Sequence, residues 1–191
     1  MHSESRVGDW MQTATGRKFW PLDPRPEDVA IEDIAHALSH LCRFGGHCRT
    51  FYSVAEHSVR VSLVVEQDQG GAAPAWRAEQ ALAALLHDAA EAYIVDVPRP
   101  IKRFLGGYKD AEERVFAAIA QRFRISSTLQ ECVKYADEVL LATEARDLMG
   151  GQSAGKWTLL ADPLAGKIEP WSPEVARVAF LSRFHALTGQ S

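Results

Sequence analysis

Apolar positions recur at helical spacing in six stretches of the chain. In the first, Val29, Ile31, Ile34, Ala35, Leu38 and Leu41 follow a proline-rich run, Pro21, Pro24 and Pro26, that forbids helix before about Asp28. Gly45-Gly46 stops it. Ser53-x-x-Glu56 has the form of a capping box and predicts a second helix starting just ahead of Val54, His57, Val61, Val64 and Val65. After a loop at Gly70-Gly71, a central helix is expected from Ala75 to Tyr93, ended by Val97-Pro98-Arg99-Pro100. A fourth helix carries Val115, Phe116, Ile119, Ala120 and Phe123. A fifth starts near Ser127 and carries Val133, Ala136, Leu140, Leu141 and Leu148. Ser172-Pro173-Glu174 places cap, proline and acid where a last helix should begin, and Val175, Val178, Leu181 and Phe184 follow.

Strand signals are nearly absent. Trp10 to Trp20 alternates loosely around Thr15-Gly16 and predicts a short N-terminal hairpin. The first nine residues read as a frayed polar end, Gly150 to Gly155 as a flexible loop, and Trp157 to Trp171 as irregular chain. With no repeat and no convincing linker, the pattern predicts an all-α fold of about six helices in a single domain over residues 1–191.

Composition narrows the function classes. Apolar residues make up 47% and charged residues 24% of the 191, an ordinary balance for a globular protein, and a net charge of -4 argues against non-specific nucleic-acid binding. The three cysteines, Cys42, Cys48 and Cys132, show no disulfide-framework spacing and suit reduced thiols in a cytoplasm. Neither a membrane span nor a signal-peptide core is expected, because no apolar run reaches about 18 residues.

The chemistry starts from Ala81 to Glu91. Six apolar residues cover every side of the helix and lead directly into His87, Asp88 and Glu91. Buried ionisable groups cost several kcal/mol each, as a rough scale, unless they are paired or hold a metal. His57 on the second helix and Asp137 on the fifth likewise occupy positions where apolar residues belong. Two imidazoles and two carboxylates suit a divalent ion such as Zn²⁺, Mn²⁺, Co²⁺ or Fe²⁺, with Mg²⁺ also within range, and the lack of thiols nearby in the chain argues against a structural zinc cage. The alternative is a set of satisfied core residues at three separate places.

His57, His87-Asp88 and Asp137 together resemble the H…HD…D signature of the HD-domain metal-dependent phosphohydrolases. The closer likeness is to the branch typified by YfbR-type deoxynucleotide 5'-nucleotidases. Arg43-Phe44-Gly45 ahead of Val54-Ala55-Glu56-His57-Ser58 is similar to that branch's Arg-aromatic-Gly turn, with phenylalanine in place of the usual tryptophan. His87-Asp88-Ala89-Ala90-Glu91 matches its His-Asp-x-x-Glu core, and Asp96 with Pro98-Arg99-Pro100-Ile101-Lys102 matches the segment beyond it. The likeness spans about residues 28–148; the N-terminal stretch and the C-terminal third fall outside it. It implies an all-α HD bundle, metal ligation by His57, His87, Asp88 and Asp137, a nucleotide as the small-molecule substrate, and a homo-oligomer.

Chemical roles follow beside that likeness. Glu91, one turn after His87, is the expected general base, and Asp96 is the candidate for orienting water or protonating the leaving oxygen. Arg43 is expected to grip phosphate bidentately, with Lys102 in support, and Phe44 to stack on a base. The alternatives are a local salt bridge at Glu91, a turn residue at Asp96, surface charges at Arg43 and Lys102, and a core aromatic at Phe44. Glu144 is a candidate support for the site, and the Trp20 region a candidate pocket wall. His36 with His40, and His47 with Cys42 and Cys48, are lesser metal candidates; His2 and His185 read as surface residues. The expected reaction takes a (deoxy)ribonucleoside 5'-monophosphate to nucleoside and phosphate. The alternatives are triphosphate hydrolysis, which Arg17, Lys18 and Lys102 would favour by converging on the site, a non-catalytic nucleotide-binding module, and a purely structural helical domain.

Overall fold

A computed structural model describes residues 6–67, 73–150 and 157–189. His2, the Gly70-Gly71 loop and most of the Gly150–Gly155 loop lie outside the described residues. The expected hairpin is there: β1 (Met11–Gln12) pairs antiparallel with β2 (Lys18–Phe19), Met11 opposite Phe19. The α-helices among the described residues are α1 (Ile31–His40), α2 (Val54–Gln67), α3 (Pro74–Leu85), α4 (Glu91–Ile94), α5 (Arg99–Lys102), α6 (Tyr108–Phe123), α7 (Glu131–Leu148) and α8 (Pro173–Thr188), and 157–172 is irregular as expected. No helix among the described residues is long and apolar enough to cross a membrane.

The count exceeds the expected six for two reasons: the central helix is broken into α3 and α4, and α5 forms in the Pro98-Arg99-Pro100 run expected to be non-helical, with Pro100 in its first turn, where no N–H is needed. The chain leaves helical geometry after Leu85, passes His87 and Asp88 in a turn, and resumes only at Glu91. Apolar periodicity cannot register this break, since Leu85, Leu86, Ala89 and Ala90 are buried on both sides of it. At α2 the cap is half of a box: Ser53 Oγ accepts from the Glu56 N–H at 3.1 Å, while the Glu56 carboxylate turns away to Arg60. The last helix starts as expected, with Ser172 Oγ accepting from the Val175 N–H.

Helix α2 is the axis of the fold, packing against α1, α3, α7 and α8. Val54, Ala55 and Val59 face one buried cluster, shared with Ile34 and Leu38 of α1, Ile119 of α6 and Phe180 and Phe184 of α8. Val61 and Val65 face a second, shared with Val133, Ala136 and Leu140 of α7. Burial at roughly 25 cal/mol per Å² of apolar surface makes these clusters the main stabilising term. His57 of α2 lies where α2, α7 and the broken end of α3 meet.

Candidate metal centre

Each of the four expected ligands comes from an element held by apolar packing. His57 is on α2 and Asp137 on α7, while His87 and Asp88 occupy the turn that ends α3. His57 Nε2 lies 3.1 Å from Asp137 Oδ1 and 3.8 Å from Asp88 Oδ2. His87 Nε2 lies 3.3 Å from Asp88 Oδ2 and 3.9 Å from Asp137 Oδ1. Donors around one ion with bonds of about 2.1 Å stand about 3.4 Å apart in a tetrahedron, so these separations bracket what a shared ion requires. His57, His87 and Asp88 alone have donor atoms all within 4.8 Å of one another; Asp137 closes on the two imidazoles from its own side.

Hydrogen bonds fix both tautomers. His57 Nδ1 donates to Glu144 Oε1 at 2.6 Å, and His87 Nδ1 donates to the Ala84 carbonyl at 2.7 Å. That leaves both Nε2 atoms turned toward the carboxylates, buried and without a hydrogen-bond partner of sound geometry. Imidazoles tied at Nδ1 with Nε2 left open are the usual arrangement of metal-ligating histidines. The residues present therefore fit a divalent ion.

The same contacts set the electrostatics of the site. Burial and Arg43 oppose a charge on His57, but Glu144 and Asp137 outweigh them and raise its pKa to about 9. Burial also opposes the charge on Asp137, and the contact with His57 overrides it, holding that carboxyl well below its usual range. A divalent ion held here would compete with that proton for Nε2. Burial first, then the charges of Asp88 and Asp96, push Glu91 up to about 10. Its Oε2 is buried and has no hydrogen-bond partner. Asp96 is raised by burial and by Asp88, against the pull of Arg43. It follows Val95, whose φ of 64° and ψ of 157° place a β-branched residue in a region that glycine normally occupies; the Tyr108 hydroxyl donates to the Val95 carbonyl at 2.7 Å.

The other expected site residues find different partners. Arg43 sits in the turn Arg43–Gly46 with a side chain only 12% exposed, bridging Glu144 at 3.1 Å and Asp88 at 3.4 Å. Its charge is thereby matched inside the site. Phe44 has a left-handed φ of 57° and packs toward Trp157, ring centroids 5.9 Å apart. Lys102 pairs with Glu112 at 2.5 Å. Lys18 lies over the Trp10 ring in the hairpin, and Trp20 lies under Arg6. His36 and His40 stack on each other, with His40 Nδ1 on the His36 carbonyl, and His47 closes the Arg43–Gly46 turn.

Sequence reasoning gave Glu144 too little weight. Fully buried, it holds both His57 and Arg43; burial opposes its charge, but Arg43 and then His57 keep its carboxyl below the usual range. The available signal was its place seven residues after Asp137, two helical turns along the same face of α7. A cleft of about 480 Å³ also went unread. It opens beside His87 and Asp137, with Leu129, Lys134, Tyr135 and Leu160 on its walls, and α7 and the distant 157–160 segment meet there only in three dimensions.

The chain is 38% identical over 182 residues to the uncharacterized protein YfdR of Escherichia coli, covering 94% of this chain and 96% of that one. The chain belongs to the YfdR family. An uncharacterized protein of Rhodobacter capsulatus is 36% identical over 192 residues, covering 93% of this chain and 95% of its own length. No family model matches the chain. Among solved structures it is similar to a cyanophage S-2L HD phosphohydrolase, DatZ, described as bound to dA and one catalytic Zn²⁺ ion. The TM-score is 0.54 at 18% identity, over 83% of this chain and 96% of that one. This YfdR relative thus has the HD phosphohydrolase fold.

Proposed function

We propose that the chain is a metal-dependent phosphohydrolase acting on nucleotides, converting a (deoxy)ribonucleoside 5'-monophosphate to nucleoside and phosphate. The observation that carries this reading is the pair of buried imidazoles, tied at Nδ1 and open at Nε2, facing Asp88 and Asp137. The fold shared with DatZ, and the dA and zinc in the description of that protein, support the same chemistry. The motifs from Arg43 to Lys102 support the YfbR-type nucleotidases as the nearest functional parallel.

The donor set suits Zn²⁺, Mn²⁺, Co²⁺ or Fe²⁺. Such an ion supplies Lewis-acid polarisation of a phosphoryl oxygen and a water acidic enough to attack near neutral pH. His57, His87, Asp88 and Asp137 would hold it. Glu91, beside them and unpartnered at Oε2, takes the proton of the attacking water, and a cation nearby opposes the burial and the repulsion from Asp88 and Asp96 that otherwise keep Glu91 protonated. As the P–O ester bond breaks, Asp96, raised and next to the strained Val95, gives its proton to the departing 5' oxygen. Arg43 orients Asp88 and Glu144, and its remaining donor capacity faces the phosphate. The nucleoside lies in the cleft against Leu129, Tyr135 and Leu160. A monophosphate is favoured over a triphosphate because Lys18 lies over the Trp10 ring in the hairpin and Lys102, although close enough to act on Glu91 and Asp88, has its charge matched by Glu112.

The test is metal-stripped protein reloaded separately with Mn²⁺, Co²⁺, Zn²⁺ and Mg²⁺ and offered each deoxy- and ribonucleoside mono- and triphosphate, with products resolved by chromatography. Nucleoside from monophosphates is the expected result. Tripolyphosphate from triphosphates would move the reading to a triphosphohydrolase. No product anywhere with metal bound would overturn it in favour of a nucleotide-binding module.

A further inference from the structure

The turn that carries Arg43 and Phe44 is bounded by two thiols. Cys42 Sγ and Cys48 Sγ lie 3.5 Å apart, both partly exposed, six positions apart in the chain. Their approach is imposed by the fold rather than by the sulfurs. At one end, Cys42 pairs with Ser53 as an isolated bridge, with the Arg43 N–H on the Tyr52 carbonyl at 2.9 Å and the Val54 N–H on the Leu41 carbonyl at 3.0 Å. At the other, the Arg49 N–H donates to the Leu148 carbonyl at 2.9 Å and its guanidinium to the Asp147 carbonyl at 2.7 Å. Between them Phe44, Gly45 and Gly46 all have left-handed φ, at 57°, 59° and 81°, which curls the chain back on itself.

We propose that Cys42 and Cys48 are an oxidative modification site, closing to a reversible intrachain disulfide that staples the Arg43–Gly46 turn. An S–S bond needs about 2.05 Å, so the sulfurs must close by about 1.5 Å, within reach of side-chain rotation. With hydrogen peroxide as oxidant, the Cys42 thiolate attacks one peroxide oxygen, the O–O bond breaks, and the departing hydroxide takes up the proton that the thiol had released and leaves as water, giving a sulfenic acid at Cys42. The Cys48 sulfur then attacks the Cys42 sulfur, and the sulfenic oxygen departs as a second water carrying the Cys48 proton. Two electrons pass from the thiols to the peroxide, and a dithiol reverses the step. Cys48 suits the resolving role: burial and then the bond to Cys42 push its thiol up to about 11, which keeps it protonated until a sulfenic acid forms beside it. Glu144 and Asp88 are held by the cross-linked turn through Arg43. The site does not depend on the hydrolase reading.

Its test uses the whole folded chain, treated with a few equivalents of hydrogen peroxide, alkylated and cut with trypsin. Cleavage after Arg43 and Arg49 sends the two cysteines to different peptides, so only a disulfide joins them. The expected product is that linked pair, about 2 Da lighter than the two reduced peptides together and released by dithiothreitol, with Cys132 alkylated as the internal reference. Closing so short a loop should raise Tm by about 5 °C, and Cys48→Ser should abolish the rise and leave a sulfenic acid at Cys42 that dimedone traps. Separate sulfinic or sulfonic acids without the linked pair, or Cys42 joined to Cys132, would overturn the proposal.

Discussion

Glu56 and His57 are neighbours on α2 and both are completely buried, yet they are satisfied in opposite ways. Glu56 has its full complement: Arg60 at 2.9 and 2.7 Å on one oxygen and the Trp171 N–H at 2.7 Å on the other. His57 is bonded only on the Glu144 side, and its Nε2 faces Asp88 and Asp137 with no hydrogen bond of sound geometry. A buried charge whose partners are all supplied by the chain is structural; one left open toward like-minded donors is built for something the chain does not contain. In this chain the first kind pins the segment before α8 to α2, and the second kind gathers the candidate metal ligands.

That contrast can be broken most directly at Glu144. Glu144→Ala leaves Arg43 and His57 in the interior without their carboxylate and should cost about 3–5 kcal/mol in urea unfolding, with a matching loss of bound metal by elemental analysis. An effect no larger than that of Glu56→Ala would mean the two clusters are of one kind. Metal removal comes next. Chelation should lower stability by about 2.7 kcal/mol relative to protein held with free metal at a hundred times its Kd, read as a fall in Tm. A chelator-insensitive Tm would support a purely structural role for the His57 cluster.

Glu56→Ala should cost about 1–3 kcal/mol, by leaving the Trp171 N–H unpaired and Arg60 without its partner, and should leave metal stoichiometry unchanged. Loss of metal in this variant would show that the two neighbours are not separable. The smallest effect is expected at Asp147, the more exposed counterpart of Glu56, which accepts from the Ile168 N–H at 2.8 Å. Its bonds to Arg146 and to that N–H hold its carboxyl below the usual range. Its stabilisation is therefore complete above the unfolded-state value of about pH 4 and is lost as pH falls through the lower folded value. Acid titration of unfolding should show a shallower loss below about pH 4 in Asp147→Asn than in the parent chain.

Much of this was legible in the chain itself. The helices α1, α2, α6, α7 and α8 follow from apolar spacing and caps, and the hairpin from its alternation around Thr15-Gly16. His57, His87, Asp88 and Asp137 stood out because each interrupts an apolar face, where an ionisable side chain needs a reason. The break after Leu85 was not legible, since both of its flanks are apolar. Nor was the strain at Val95, because a valine gives no sign of a positive φ. Arg43 read as a phosphate grip; its engagement by Glu144 and Asp88, 101 and 45 residues away, is a matter of packing alone.

The sequence by itself determined the helical class, the starts of α2 and α8 and the residue types of a candidate metal centre, because these rest on local periodicity, on caps and on the cost of burying charge. Only the tertiary structure decided which nitrogen of each imidazole stays open, which arginine is matched by which carboxylate, and where the cleft lies. Those depend on distances between α2, α7 and the end of α3, and no spacing along the chain records them.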